Sequence, residues 1–386
     1  MTGATRRDFF GRMATAAGLI ALSPAAARAA EVLMAQGGGP AFTGRPFAAD
    51  DYDSYAKLAS NENPYGPTDV VMAAMTAAFK YSNRYAYPDA NILEEIARFH
   101  SVQPDQVLLG AGSGELLSVA ALAFLGEGKK VIGVEPTFHT VFQYATGVHA
   151  DPIHLPLRAD YSQDIPLMVR TTRQNWRDVG LVYLCNPNNP TGRIVSAADV
   201  KALLDGIPED VPVLIDEAYH HFVEDPSYAT SLPFVAEGRQ VIITRTFSKI
   251  NGLAGMRLGY AIAPRPLIER MRPHAIGSIN ALVKHAGAAA LKDTDGQARV
   301  KQVNNELRAK TVKAVQGMGY EVIPSEGNFF MVHIKRPVVP VIAQFKTKGV
   351  LVGRPFPPMT NHLRVSVGTP AEMERFVVAF RQLFAA

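Results

Sequence analysis

The chain has 386 residues, 47% hydrophobic and 19% charged, with 39 Lys+Arg against 35 Asp+Glu and a formal net charge of +4. A chain this long buries a large core, usually in about two domains, and its apolar fraction excludes wholesale disorder. The single cysteine, Cys185, excludes an internal disulfide framework and any zinc module built on four cysteines.

Residues 1–29 read as an export leader. Thr5-Arg6-Arg7-Asp8-Phe9-Phe10 precedes a mild apolar run over 13–22, then Pro24 and Ala25-Ala26-Ala27-Arg28-Ala29-Ala30. Charged, then apolar, then small residues with an A-x-A site is the plan of a signal peptide. The run is too short to span a bilayer core of about 30 Å. The adjacent arginines resemble a twin-arginine address, read by a machine that exports folded proteins. Cleavage near Ala29 predicts a periplasmic or secreted protein. The leader holds Arg6, Arg7, Arg12 and Arg28 against Asp8, so it carries +3 of the +4. The remainder, at +1, gives no reason to expect nucleic acid or a membrane surface as a partner. No other stretch of 18 or more apolar residues follows, so the mature protein is expected to be soluble.

After Gly37-Gly38-Gly39-Pro40, short apolar runs alternate with helical patterns. Runs at 107–109, 131–134, 181–184, 213–215, 241–244 and 259–263 are rich in Val, Ile and Leu without strict alternation, as strands buried on both faces should be. Helical stretches such as 115–125 and 197–204 lie between them. That order predicts an α/β fold with a mostly parallel sheet covered by helices. From about Pro266 a long helical region runs through 281–291 and on to 315. Mixed segments follow at 328–332, 349–353 and 363–367, then a closing helix, which predicts a second, smaller α+β domain. The expected division is leader 1–29, an N-terminal arm and small-domain segment 30–65, a large domain 66–265 and a small C-terminal domain 266–386.

Ligands of an open parallel sheet bind outside the carboxyl ends of its strands. Four segments fall there. Gly110-Ala111-Gly112-Ser113-Gly114-Glu115 follows a strand and opens a helix. Glycines permit close backbone approach, and a helix N-terminus offers free N–H groups to a phosphate. The spacing fails G-x-G-x-x-G, lacks a Walker Lys-Ser/Thr and fails G-x-S-x-G, which disfavours a nucleotide-binding oxidoreductase. Asn186-Pro187-Asn188-Asn189-Pro190-Thr191-Gly192 is a rigid loop with amides free to donate.

Asp216-Glu217-Ala218-Tyr219 ends an apolar run, and a carboxylate there needs a metal, an arginine or a protonated heterocycle as partner. No metal-spaced His/Asp set accompanies it, and the adjacent His220 and His221 should point apart. Thr246-Phe247-Ser248-Lys249, then Gly252, Gly255 and Arg257, puts a lysine just past an apolar strand. Desolvation there lowers its pKa and makes it a usable amine nucleophile. Thr246, Ser248 and Arg257 suit an anion beside it. A phosphate cradle, an amide loop, a buried carboxylate and a nucleophilic lysine share one reading: pyridoxal 5′-phosphate held as a Schiff base.

With these motifs, the sequence resembles the fold-type I pyridoxal-phosphate enzymes of aminotransferase class I/II, and among them the histidinol-phosphate aminotransferase branch. The likeness runs from about Lys57 to Leu383. Its further carriers are Leu58-Ala59-Ser60-Asn61-Glu62-Asn63-Pro64-Tyr65-Gly66-Pro67, the segment 84–89 and Leu363-Arg364-Val365-Ser366-Val367-Gly368-Thr369. The resemblance implies that Lys249 forms the internal aldimine and moves the substrate's α-proton. Asp216 would pair with the pyridine nitrogen, and Asn189 and Tyr219 with the phenolic oxygen. Phe138 would stack on the ring. Gly112, Ser113, Gly114, Thr246, Ser248 and Arg257 would hold the phosphate. Tyr87 (or Tyr85) would reach the phosphate of a neighbouring subunit, implying a homodimer with shared active sites. Arg364, helped by Asn328, would take the substrate carboxylate, under a closing loop with Asn61, Asn63, Tyr65 and Gly66.

Arg354 lies one place after the basic residue usual in the branch. It faces either the substrate side chain or its own loop. The leading expectation is an exported aminotransferase acting by a ping-pong route on an amino acid, or a histidinol-phosphate-like amine, and a 2-oxo acid. A lyase, racemase or epimerase on the same scaffold is the alternative, since the cofactor residues serve any carbanion chemistry. A binding protein without turnover is disfavoured by the joint presence of Lys249, Asp216 and Arg364.

Overall fold

A computed structural model describes residues 52–85 and 87–384. The export leader expected at 1–29 and the arm before Tyr52 lie outside the described residues. The elements run β1 (Ala56–Leu58), α1 (Asp69–Ala77), α2 (Ile92–His100), β2 (Val107–Gly110), α3 (Ser113–Phe124), β3 (Lys130–Glu135), α4 (Thr140–Gly147) and β4 (Asp151–Pro156). Next come α5 (Ile165–Gln174), β5 (Val179–Cys185), α6 (Ala197–Gly206), β6 (Val213–Asp216), α7 (Leu232–Ala236), β7 (Val241–Thr246) and β8 (Gly259–Ile262). The chain then forms α8 (Arg265–Met271), α9 (Ala281–Lys292), α10 (Thr294–Gln316), β9 (Glu321–Ile323), β10 (Phe329–His333), α11 (Val338–Thr347), β11 (Val350–Val352), β12 (His362–Ser366) and α12 (Pro370–Phe384).

Seven strands make the large sheet, in the order β2-β8-β7-β6-β5-β3-β4. The strands from β7 to β4 pair in parallel, and β8 runs antiparallel to both β2 and β7. Every residue of β5, β6 and β7 is buried, which explains their unbroken apolar runs. Alternate residues serve opposite faces: Val182 and Leu184 join one core cluster, Leu181, Tyr183 and Cys185 the other. The expected mostly parallel sheet covered by helices is therefore present. The sequence reading missed β4, an edge strand with two prolines and largely exposed side chains. Prolines are tolerated at an edge, and a weakly apolar edge carries little pattern.

The smaller layer has a three-stranded antiparallel sheet, β12-β10-β9, and a two-stranded parallel pair, β1-β11. Strands β1, β10, β11 and β12 share one core with α11 and α12. The sequence pattern changes at Pro266, but the packing changes later. Helix α9 lies on α1 and α2 and adds Val283, Ala286 and Leu291 to the large-sheet core. The long helical region is also two helices. Asp293 separates them, its side chain accepting from the Gly296 N–H at 3.1 Å. Removing this N-cap by Asp293→Ala should cost about 1 kcal/mol, read as a lower denaturant midpoint at unchanged slope.

Candidate active site

The four segments expected at the strand ends come together in space. They are joined there by β12 and by the loop after β1. The site lies at the carboxyl ends of the large-sheet strands; the order reverses between β5 and β3, and Asn189 and Phe138 follow those two strands.

Strand alternation sets the first layer. Asp216 ends β6 and Glu217 follows it, and the two bond to side chains on different β7 residues, Thr244 and Arg245. Thr244, the register partner of Asp216, donates to its Oδ1 at 3.0 Å. Glu217 turns away and receives Arg245 Nε at 3.1 Å and Nη2 at 2.7 Å, with Thr230 Oγ1 and the Ser231 N–H completing its shell. This buried pair closes on itself, which a buried ion pair must do. Asp216 has no ion pair among the described residues. Burial pushes its carboxyl up to about 6, against the hydrogen bonds from Thr244 and the Ala218 N–H and the positive charge of Lys249.

Lys249 Nζ donates to the Ser60 carbonyl at 3.1 Å and stands 5.6 Å from the centre of the Tyr219 ring. Desolvation lowers its pKa to about 8, helped by the positive charges of Arg364 and Arg257. The buried Tyr219 hydroxyl accepts from Asn61 Nδ2 at 3.1 Å and Asn189 Nδ2 at 3.4 Å, and burial pushes its pKa up.

At the glycine turn, α3 begins directly after Gly112, whose φ is +86°, and no side chain caps the helix. Arg257 folds over the turn. Its guanidinium donates to the Ser248 hydroxyl at 3.3 Å and to the Ala254 and Ala111 carbonyls at 2.9 and 3.0 Å. Any other residue would be strained at the φ of Gly112, and its Cβ would displace Arg257 Nη2, which would stand 2.2 Å away. Thr246 Oγ1 accepts the Ser248 N–H at 3.0 Å. Ser113 is buried, and the space beside Gly114 is open. Phe138 is half-buried after β3. Asn188, which the sequence reading did not single out, pins that segment: it accepts from Thr137 Oγ1 at 2.7 Å and donates to the Pro136 carbonyl at 3.1 Å.

Arg364, on β12, is 7% exposed and has only neutral partners among the described residues. Nη1 donates to Asn189 Oδ1 at 2.7 Å, Nη2 to the Ala59 carbonyl at 2.6 Å, and Nε has no partner. Burial lowers its pKa to about 10, with Arg354 lowering it further. Arg354 makes contacts within its own loop. It donates to the Pro355 carbonyl at 3.0 Å, capping its loop, and its guanidinium lies 4.4 Å from the Phe356 ring that also carries Arg364.

The loop at 61–66 is docked. Asn63 Nδ2 donates to the Ile250 carbonyl at 3.0 Å, and Gly252 packs so tightly on Gly66 that a Cβ would meet its carbonyl carbon at 2.3 Å. Tyr65 is exposed. The side chain of Asn61, expected to touch substrate, is already engaged by Tyr219 and by Ser366 Oγ at 2.8 Å, so it positions Tyr219. Asn328 Nδ2 holds the Asn61 and Glu62 carbonyls at 3.0 and 3.3 Å, and its Oδ1 is buried without a partner. Tyr85 and Tyr87 are exposed and make no site contact within this chain.

His220 and His221 do not point apart as expected. Their ring centres are 3.7 Å apart. They sit in one 3₁₀ turn, where neighbours differ by about 120° rather than 180°, and both rings are buried near Arg245. Among the described residues no group of His, Cys, Asp or Glu could hold a metal, and no helix is long and apolar enough to cross a membrane.

The sequence matches the family Aminotransferase class I and II over residues 53–380. The chain belongs to that family. A histidinol-phosphate aminotransferase of Symbiobacterium thermophilum is 37% identical over 329 residues, covering 84% of this chain and 89% of the relative. A solved structure from Erwinia carotovora atroseptica SCRI1043, described as a candidate histidinol-phosphate aminotransferase, superposes with a TM-score of 0.83 at 30% identity, covering 88% of this chain and 98% of that one. The histidinol-phosphate aminotransferase of Sinorhizobium meliloti, solved with pyridoxal-5′-phosphate, shares the fold at a TM-score of 0.78 and 24% identity, covering 85% and 90%.

In this aminotransferase the lysine amine is reactive only when neutral, which gives a test independent of turnover. The cofactor-free protein should capture pyridoxal at a rate that rises with pH and levels off above about 8, instead of near the ordinary lysine value of 10.5. Arg364→Ala removes a neighbouring positive charge, so the midpoint should move up. Stopped-flow absorbance checks both, and a midpoint near 10.5 in the unaltered protein overturns the desolvation argument.

Proposed function

We propose that this chain is an exported pyridoxal-phosphate-dependent aminotransferase that moves an amino group between an amino acid, or a histidinol-phosphate-like amine, and a 2-oxo acid in a ping-pong cycle. The observation that carries this reading is Arg364. A buried guanidinium with neutral partners and an unpartnered Nε is a receptor for an anion, and its charge acts on Lys249.

The residues fit pyridoxal 5′-phosphate. Asp216 is a buried carboxyl whose raised pKa falls when a protonated ring nitrogen meets it. The open N–H groups after Gly112, with Ser248, Thr246 and Arg257, would hold the phosphate. Asn189 and Tyr219 would meet the phenolic oxygen, and Phe138 would cover the ring. When bound, the cofactor supplies an aldehyde for covalent capture of an amine and an electron sink for the α-carbon. Lys249, its pKa lowered to about 8 by desolvation, would hold the cofactor through its amine and would carry the substrate's α-proton. Arg364 orients the substrate by its carboxylate.

Two copies fit the site better than one. Tyr87 is 74% exposed and Tyr85 fully exposed. Both are free to reach a neighbouring subunit's phosphate, as the resemblance implies. Transamination is favoured over lyase or racemase chemistry by the curated relatives, which are named aminotransferases.

A donor screen tests the reaction. The loaded protein should be yellow and bleach with individual amino acids or with L-histidinol phosphate, and 2-oxoglutarate should restore the colour. Lys249→Ala should be colourless, and Arg364→Ala should weaken carboxylate-bearing donors by about 1.5–3 kcal/mol. Elimination or racemisation without bleaching would replace transamination with the lyase or racemase reading. Export is tested separately. Cell fractionation should find the shortened chain outside the cytoplasm, and Arg6→Lys with Arg7→Lys should strand the full-length chain inside. A wild-type chain that stays full-length in the cytoplasm refutes the address.

A further inference from the structure

We propose that Tyr161 and His362 are a positioning pair that fixes Arg364 for the substrate carboxylate; this rests on the aminotransferase reading above. Tyr161 lies in the segment between β4 and α5. Two neighbours tie that segment to the large sheet. Asp160 pairs with Arg193, just past the asparagine loop, at 3.4 Å. Gln163 Nε2 donates to the Cys185 carbonyl at 2.8 Å, at the register position facing Asp216. Tyr161 itself takes a left-handed backbone, φ +65°, which costs a non-glycine residue energy unless its surroundings hold it. Its side chain leaves the large sheet and crosses to the small one.

There the Tyr161 hydroxyl shares a hydrogen bond with His362 Nε2 at 3.1 Å, and the two rings meet edge to face at 5.4 Å. His362 is on β12, two residues before Arg364, so both side chains stand on one face of that strand. The Tyr161 ring also packs on the apolar cluster of Ile323, Met331, Phe356 and Met359. Phe356 is the ring against which the Arg364 guanidinium rests, at 4.6 Å. Tyr161 therefore supports Arg364 twice, through the strand that carries it and through the ring beneath it.

Arg364 needs this support. Its two fixed nitrogens are held by Asn189 from the large sheet and Ala59 from the loop after β1. A relative shift of the two sheets would move the guanidinium off the carboxylate position and weaken the charge-assisted hydrogen bonds it offers there. The Tyr161–His362 bond is a polar contact that ties β12 to the segment between β4 and α5 on the Phe356 side. The pair acts through Arg364 and touches neither Lys249 nor the proton it moves.

Tyr161→Phe keeps the ring and removes the bond. In the first half-reaction, its affinity for L-glutamate and L-phenylalanine should fall about five- to tenfold, with limiting bleaching rates within about twofold of wild type. The carboxylate-free amine 2-phenylethylamine should lose nothing. Binding of the unreactive carboxylate 3-phenylpropionate to cofactor-free protein, by calorimetry, should weaken by the same factor. In an Arg364→Ala background, Tyr161→Phe should add no further loss, and His362→Gln should reproduce the Tyr161→Phe pattern. Wild-type affinities in Tyr161→Phe, an equal loss for 2-phenylethylamine, or an undiminished loss on top of Arg364→Ala would each overturn the pair. A wild type that bleaches with no donor refutes the aminotransferase reading instead, so the two failures are distinct.

Discussion

Asp216 is a charge buried without a counter-charge, and the arrangement of the site follows from it. A lone carboxylate at the end of a fully buried strand is costly. Its pKa rises to about 6, and Thr244, a backbone N–H and the more distant charge of Lys249 soften the cost. The fold keeps it there while its neighbour Glu217 is fully paired with Arg245. One strand end thus carries a satisfied carboxylate next to an unsatisfied one. The second is suited to a cation from outside the chain, and in the proposed reading a protonated pyridine nitrogen would be that cation.

Arg364 is the same situation with the sign reversed. It is buried, surrounded by neutral oxygens and aromatic rings, and short of one partner. Lys249 lies within the influence of both groups and of Arg257. Burial and the two arginines press its pKa down to about 8, while Asp216 and Glu62 press it up. An unpaired acid and an unpaired base on different elements would be a defect in a closed core. Around an amine nucleophile they suit the guest proposed above, in which a ring cation, a phosphate and a carboxylate would each meet a partner.

The large-sheet strands β2, β3, β5, β6, β7 and β8 were legible because they are largely buried and each carries a short run rich in Val, Ile, Leu or Ala. Edge strand β4 was not, because one exposed side removes the apolar run. Lys249, Asp216, Asn189, Gly112 and Arg257 were legible as motif residues at strand ends. Asn188 and Thr244 were less so, since their role is to bond other residues of the site, and that depends on register between β6 and β7 and on the approach of two loops. Asn61 could be placed near the site from sequence, but not given its task. Its amide is taken by Tyr219 and Ser366, residues 158 and 305 positions away.

Sequence by itself determined the fold class, the family and the residue types of the site, because those follow from local patterns: apolar runs, a glycine turn, a lysine after a strand. It also determined where the excess positive charge lies, in the first 29 residues. Tertiary structure alone decided which charges are paired and which are left waiting. Glu217 and Asp216 are adjacent carboxylates with the same neighbours in sequence, and only strand alternation and the partner on β7 make one a structural ion pair and the other a binding group. The same holds for Tyr161 and His362, which no sequence pattern connects. Their meeting depends on how the small sheet rests on the large one, a contact fixed by packing across two layers.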